Sequence, residues 1–416
     1  MLVHQLPSDS VQVSDCAHSI LIQIARYCKA EENVPWMNVC KIILVEIVLL
    51  WSNIKEATSD KAYTTIRVQY ANTVTALACV GKYNDEEVEQ IIVSTLNSLL
   101  VDGVFDENQD ILLQISVFDL ISNNIVSLSG TPISRLIIDW LSNTFSKQLY
   151  RILQEDDYMM KSDALRLYSY IAVLWKRQNY GTNSNSDFES IIFNKVPQGP
   201  IHIFAEESSG ELDRLALVDI ISTLAKSEWI DLVCQDEILS TAWLRINNVA
   251  QPKMKGAILN SMGQVIEYRN TSNTTDNSEA LISVETRCSL IIDTFAKVNQ
   301  KNHILNGGLD LILNAAKSSF IETRLGSYEL LRVIATHQAR RLLIHGDCVE
   351  FLLSQDGEST KEGKEAKFEI IRALHNAKNK QAMNIMLSDH IVRKFELLIK
   401  NGPHSSPSIP WQLATQ

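Results

Sequence analysis

Four acids recur at one place in a repeated stretch of sequence, and they are the residues most able to do chemistry as a set. Asp119, Asp219, Glu329 and Glu369 each stand five positions after a long polar or basic residue, Gln114, Arg214, Arg324 and Lys364. Each is followed by two aliphatics, as in Asp219-Ile-Ile and Glu329-Leu-Leu. On equivalent helices such acids form a line along one face. One reading is a ladder of carboxylates that meets the Lys and Arg groups of a partner; the other is pairing with Arg214, Arg324 or Lys364 of a neighbouring unit, or plain solvation. The triplet Glu285-Thr-Arg287 returns as Glu322-Thr-Arg324. We therefore take Glu285, Arg287, Glu322, Arg324, Glu329, Lys364 and Glu369 as the candidate partner-binding set.

Catalytic patterns are missing beside these charges. There is no GxxxxGK[ST] or GxGxxG phosphate loop, and no HExxH, GxSxG or kinase set. His303 and His345 stand near glycines without a nucleophile or ligand set around them. Asp156-Asp157 and Glu206-Glu207 read as solvated loop acids. The seven cysteines contain no CxxC pair, so they read as reduced thiols of a cytoplasmic or nuclear protein and not as a zinc site. The expectation is a non-enzyme with no cofactor and no metal.

Composition narrows the class. Lys and Arg number 38 against 49 Asp and Glu, and the net charge of −11 argues against tracking a nucleic-acid backbone. A hydrophobic fraction of 45% supplies a large core, and the low use of Gly (15) and Pro (9) over 416 residues argues for helices with short connections. The longest apolar run, Ile42–Trp51, is interrupted by Glu46 and is short for a bilayer span. No secretory leader is expected from the opening residues.

The elements that must carry these residues are amphipathic helices with apolar positions at i, i+3, i+4 and i+7, as in Leu165, Tyr168, Ala172 and Trp175, or Leu325, Tyr328, Leu331 and Ala335. β-like runs such as Ile201–Phe204 are too few for a sheet. The recurring helix places a small residue (Ser116, Ala216, Gly326, Ala366) two positions after the long polar one, with weaker copies around Ala71, Ala164, Ala257 and Ser289. Neighbouring copies lie about 42 residues apart on average, the range of HEAT and armadillo repeats. The small residue lets two helices approach closely and the aliphatics one turn on fill the space between them. This predicts an all-α, right-handed α-solenoid of HEAT/armadillo-like repeats, one domain over residues 1–400 with an extended polar tail over 401–416. The polar segments Tyr180–Asp187 and Arg269–Ser278 read as loops. Tyr328 reads as core because it lies on the apolar stripe.

The last quarter carries a more particular signal. The order Phe320-Ile-Glu-Thr-Arg-Leu-Gly-Ser-Tyr-Glu-Leu-Leu-Arg-Val-Ile-Ala335, Val349-Glu-Phe-Leu-Leu353, Thr360-Lys-Glu-Gly-Lys-Glu-Ala-Lys-Phe-Glu-Ile-Ile-Arg372 and Gly402-Pro403 resembles the C-terminal region of the proteasome non-ATPase regulatory subunit five family. Upstream only the repeat texture agrees, and the chain is shorter than typical animal members. The resemblance implies a HEAT-like assembly chaperone of the 26S proteasome base. Such a protein binds the C-terminal domain of one AAA ATPase subunit, hinders premature docking on the core particle, and has no catalytic motif. It implies contact with other base subunits only indirectly, and no membrane or nucleic-acid partner. The alternative is another solenoid scaffold, of the transport-receptor or phosphatase type; the Trp/Asn ladders of a regular armadillo receptor are missing.

Overall fold

The computed structural model describes residues 2–8, 10–30, 36–55, 60–78, 86–105, 111–127, 135–153, 158–178, 199–207, 210–227, 229–268, 283–300, 307–354, 358–380 and 389–404. Among them there is no strand, and every regular element is helical. The protein is an all-α helical solenoid in type, and its chain forms two compact units, one up to Ile201 and the other from His202 onward. The segments Tyr180–Asp187 and Arg269–Ser278 and the tail beyond His404 lie outside the described residues.

The first unit comprises α1 (Val11–Ala30), α2 (Trp36–Lys55), α3 (Asp60–Ala78), α4 (Glu86–Leu96), α5 (Ile111–Ser127), α6 (Arg135–Trp140), α7 (Ser146–Leu153) and α8 (Tyr158–Gln178). Each packs on helices near it in sequence: α1 on α2 and α3, α2 on α4, α3 on α5, α5 on α8. Phe105, Phe118, Phe145 and Trp140 cluster in its core, with neighbouring ring centroids 5.6–5.9 Å apart. After α4 and α6 the backbone widens into π-type turns, Asn97–Val101 and Leu141–Phe145. In the first of these the Asp102 amide bonds the Asn97 carbonyl five residues back, at 2.9 Å. Side chains secure this turn. Trp140 Nε1 donates to Asn97 Oδ1 (2.6 Å), Trp51 Nε1 to Ser98 Oγ (3.0 Å), and the buried Arg67 donates to the carbonyls of Ser98 (3.1 Å), Leu99 (2.6 Å) and Asp102. A helix end leaves carbonyls without intrahelical partners, and Arg67 satisfies three at once.

The second unit comprises α9 (Pro200–Glu207), α10 (Glu211–Ala225), α11 (Ile230–Gln235), α12 (Glu237–Leu244), α13 (Pro252–Glu267), α14 (Val284–Asn299), α15 (Gly308–Ala316), α16 (Ile321–His337), α17 (Ala339–Ile344), α18 (Gly346–Leu353), α19 (Lys361–Lys380) and α20 (Asp389–Asn401). The run Ile201–Phe204, β-like by sequence, is helical here. Pro200 opens α9, where a missing amide proton and a fixed φ suit the first turn. Gly402 ends α20 with φ +77° and donates its amide to the Leu398 carbonyl at 3.0 Å, the left-handed cap that glycine adopts without Cβ strain.

The axis of this unit is a row of parallel helices, α10, α13, α16 and α19, each packed on the next. Lys253 near the start of α13 pairs with Glu211 at the start of α10 (4.0 Å), and the Thr323 hydroxyl on α16 donates to the Pro252 carbonyl (3.0 Å). The N-termini therefore line one edge. The α13–α16 contact is the most extensive, and two glycines make it so. A Cβ on Gly326 would lie 2.4 Å from the Gly256 carbonyl oxygen, and one on Gly256 would lie 2.4 Å from the Glu322 carbonyl oxygen. The sequence pattern aligns Ala257 with Gly326; the structure seats Gly256 there, because Gly256 faces the neighbour while Ala257 is turned half outward.

A second layer of helices backs this row. α14 packs on α11, α12, α13 and α15, and it is tied to the start of α17 through Arg341–Asp293 (3.2 Å) and Gln338–Ser289 (2.7 Å). Asn299 at the end of α14 is buried and makes four hydrogen bonds outside its own position. Its Oδ1 accepts from the amides of Ile246 (2.9 Å) and Asn247 (3.2 Å), and its Nδ2 donates to the carbonyls of Leu244 (2.8 Å) and Phe295 (2.9 Å). One amide side chain thus caps the ends of two helices.

Candidate partner-binding face

The candidate set divides between the two layers. Glu322, Arg324 and Glu329 lie on α16, and Lys364 and Glu369 on the adjacent α19. Glu285 and Arg287 lie on α14, in the backing layer, although their triplet matches that of α16. The local repeat in sequence therefore does not put all seven on one helix row.

Two of the three cations in the set hold the fold together. Arg287 is buried, and its Nη1 donates to the carbonyls of Val265 (3.1 Å) and Tyr268 (2.9 Å) at the end of α13. Arg324 forms a two-point pair with Glu358, Nε to Oε2 at 2.9 Å and Nη2 to Oε1 at 3.2 Å, and its Nη1 donates to the carbonyls of Ser318 and Ser319, both at 3.0 Å. Lys364 is exposed at the start of α19.

Glu358 is the centre of a buried cluster. Tyr328 donates its hydroxyl to Oε2 (2.9 Å), and Thr360 donates its amide (3.0 Å) and hydroxyl (2.6 Å) to Oε1. The Thr360 hydroxyl also accepts the Gly363 amide (3.2 Å) at the start of α19. Burial alone raises a carboxyl pKa, but the bonds from Arg324, Thr360 and Tyr328 outweigh it and hold Glu358 down at about 2. The same burial, with Glu358 as neighbour, pushes the Tyr328 phenol up. Tyr328 is core, as its stripe position predicts; its ring also stacks on Phe351 with centroids 6.2 Å apart. Gly363 is required here, since a Cβ would sit 2.2 Å from the Glu358 carboxyl carbon.

Two acids of the ladder, Glu329 and Glu369, are paired along their own helices. Glu329 binds Arg332 through both oxygens (2.7 and 2.9 Å), and Arg332 also reaches Glu267 on α13 (2.7 Å). Glu369 pairs with Arg372 at 2.7 Å. Both are i,i+3 pairs, and the matching signal is legible in Glu329-Leu-Leu-Arg332 and Glu369-Ile-Ile-Arg372. Sequence reading missed these two arginines by searching for partners only on neighbouring units. It also missed Glu358 and Asn299, whose partners lie 34 and more than 50 residues away. Asp219 is exposed on α10, and Asp119 is exposed on α5 in the first unit. Glu285 and Glu322 are exposed, and among the described residues neither carboxylate has a hydrogen-bond or ion-pair partner.

This arrangement is suited to binding. The exposed side of α16 and α19 offers two acid–arginine couples, the free carboxylate of Glu322 and the ammonium of Lys364. No group of three or more His, Cys, Asp or Glu able to hold a metal occurs among the described residues. Burial pushes the thiols of Cys234, Cys288 and Cys348 up to about 11, 12 and 12, which removes their thiolate at neutral pH.

Comparison with known proteins bears on the second unit. The family described as Proteasome non-ATPase 26S subunit matches residues 239–409, from α12 through α20. That segment is therefore similar to a proteasome-related family, and it contains all seven candidate residues. No curated protein matches the chain. Among solved structures, a crystal structure of an engineered protein aligns with 97% of this chain and 98% of its own, at 16% identity and a TM-score of 0.37.

Proposed function

We propose that this protein is a non-catalytic assembly chaperone of the 26S proteasome base, which binds the C-terminal domain of one AAA ATPase subunit of the regulatory particle and hinders its premature docking on the core particle. The observation that carries the reading is the family match over residues 239–409. Its residues include the quoted runs 320–335, 349–353 and 360–372, read independently from the sequence. A cytoplasmic protein, present also in the nucleus, fits this role, and no cofactor is needed for it.

The exposed side of α16 and α19 is the contact surface in this reading. Its support is the free Glu322 carboxylate and the Lys364 ammonium on adjacent helices of the matched segment. Charges of this kind steer association and select the partner more than they add affinity. The test is capture from cell extract with mass spectrometry. Enrichment of proteasomal ATPases without core-particle subunits is the expected result. Transport or phosphatase partners in place of ATPases would replace the reading with the scaffold alternative. The surface is tested separately with Glu322→Lys plus Lys364→Glu, after circular dichroism establishes folding. Unchanged binding of the ATPase C-terminal domain at low salt, where screening is weakest, would move the contact elsewhere.

A further inference from the structure

Phe320 stands in solvent at the entry to α16. Among the described residues it is the exposed phenylalanine, 55% exposed, and its ring has no aromatic or cationic partner. Single apolar side chains at a surface are ordinary, so exposure alone decides nothing. Its position is a second observation. Phe320 is the N-cap of α16, with φ −92° and ψ 126°, and no side chain caps the helix there. That place favours Ser, Thr, Asp or Asn, whose oxygen accepts an orphan amide of the first turn. The same unit uses such caps elsewhere: Asp236 accepts the Leu239 amide before α12 (2.9 Å), and Ser283 accepts the Thr286 amide before α14 (3.1 Å). Serines stand at 318 and 319, yet the cap position of α16 carries an aromatic ring that neither caps the helix nor enters the core.

The backbone beneath the ring is fixed from both sides. The Phe320 amide donates to Ser318 Oγ (3.3 Å), and its carbonyl accepts the Arg324 amide (3.1 Å). Arg324 Nη1 bridges the Ser318 and Ser319 carbonyls, both at 3.0 Å, while its other nitrogens hold the buried Glu358. On the first turn of α16 the Thr323 hydroxyl donates to the Pro252 carbonyl of α13 (3.0 Å). The ring is thus presented from a seat that is ordered before any partner arrives, and little further ordering is lost when it is covered. A large aromatic side chain on a pre-organised backbone beside a charge has the composition of a binding hot spot.

We propose that Phe320 is the apolar anchor of the contact with the ATPase C-terminal domain, entering an apolar pocket of that domain whose rim carries the Lys or Arg that meets Glu322. The inference rests on the assembly-chaperone reading and deepens it by naming the residue that supplies affinity. Glu322 follows Phe320 by two residues, so their Cα atoms are at most about 7 Å apart and one site covers both. Its carboxylate is exposed and has no partner among the described residues. The cations nearest in sequence are engaged: Arg324 by Glu358, and Lys317 over the Phe351 ring at 5.9 Å. The charge left for a partner beside the ring is therefore negative, and its complement is basic. Such a charge steers and selects, and burial of the ring adds the affinity that it lacks. A lipid surface fits less well, because an acid borders the ring and the chain carries −11 overall.

The experiment titrates the full chain, by biolayer interferometry, against the C-terminal domains of the base ATPase subunits in turn. Phe320→Ser supplies the missing cap, so its melting temperature should hold or rise while its Kd increases about 10-fold or more, through koff. Phe320→Leu should fall between this variant and the wild type. Glu322→Lys should instead lower kon and flatten the salt dependence. If the wild type binds a domain and folded Phe320→Ser binds it as tightly, the anchor is overturned and the chaperone reading stands. A wild type that binds none of the domains overturns both. If Phe320→Ser does not fold, Phe320→Trp decides: on adding the bound domain its emission should shift to the blue beyond any shift of the wild type, and no such difference overturns the anchor. A wild-type dimer that Phe320→Ser dissociates would assign the ring to a second copy and overturn it as well.

Discussion

Gly326 and Gly256 meet backbone to backbone, so closely that a Cβ on the first would lie 2.4 Å from the carbonyl oxygen of the second. The clash would fall on rigid main chain and not on a movable side chain, so α13 and α16 would have to separate along their whole contact. Gly326→Ala and Gly256→Ala are expected to destabilise the second unit by about 1–3 kcal/mol or more in urea unfolding. Gly263→Ala is the control. Its nearest neighbour would be Val333 Cγ2 at 3.5 Å, ordinary contact, and helix propensity favours the alanine, so this variant should be neutral or more stable. Equal losses in all three would show that close approach is not what these positions require.

The Glu358 cluster predicts a pH dependence. Its carboxyl is held at about 2 in the folded protein against an ordinary 4.5. A depressed pKa stabilises the fold fully above the unfolded value, and the contribution disappears as pH falls from about 4.5 toward 2. Glu358→Gln removes the anion and leaves the half-buried Arg324 guanidinium with only the Ser318 and Ser319 carbonyls, which costs about 2 kcal/mol at neutral pH. The gap between wild type and variant should narrow as pH drops below 4.5. A gap that is constant from pH 7 to pH 3 would rule out the charge as its cause.

Asn299→Ala is expected to destabilise the joint between α12 and α14 by about 2–3 kcal/mol, since it strands the Ile246 amide and the Leu244 carbonyl in a buried place. Asn299→Asp should fail to rescue it. The aspartate keeps the acceptor for Ile246 and Asn247 but turns a second oxygen toward the carbonyls of Leu244 and Phe295. Hydrogen exchange at the Ile246 and Asn247 amides reads the effect directly; rescue by aspartate would show that only the acceptor matters.

In the first unit, Arg67→Lys tests the turn after α4. Lysine keeps the charge but replaces the planar guanidinium fork with a single ammonium, and three carbonyls cannot be met in the same geometry. A loss of about 2 kcal/mol is expected, with faster exchange at the Asp102 amide. Wild-type exchange at that amide would mean that Trp51 and Trp140 hold the turn without Arg67.

The helical class, the requirement for small residues between stacked helices, the core position of Tyr328 and the recurrence of the acids were all readable from the chain. Each is a property of local period: a 3.6-residue repeat of apolar side chains dictates which face is buried before any neighbour is known. Which helices become neighbours is not local. Glu285-Thr-Arg287 and Glu322-Thr-Arg324 are the same three letters, yet the first falls in the backing layer, where its arginine caps α13, and the second in the α10–α13–α16–α19 row, where its arginine grips Glu358. The one-residue shift from Ala257 to Gly256 has the same origin, because the closest point of two helices depends on how both are rotated. A pairing such as Arg332 with Glu267 spans 65 residues of chain. Charge attracts at any sequence separation, so only the packed arrangement of helices decides which acid is paired within the fold, as Glu329 is with Arg332, and which, like Glu322, stays exposed.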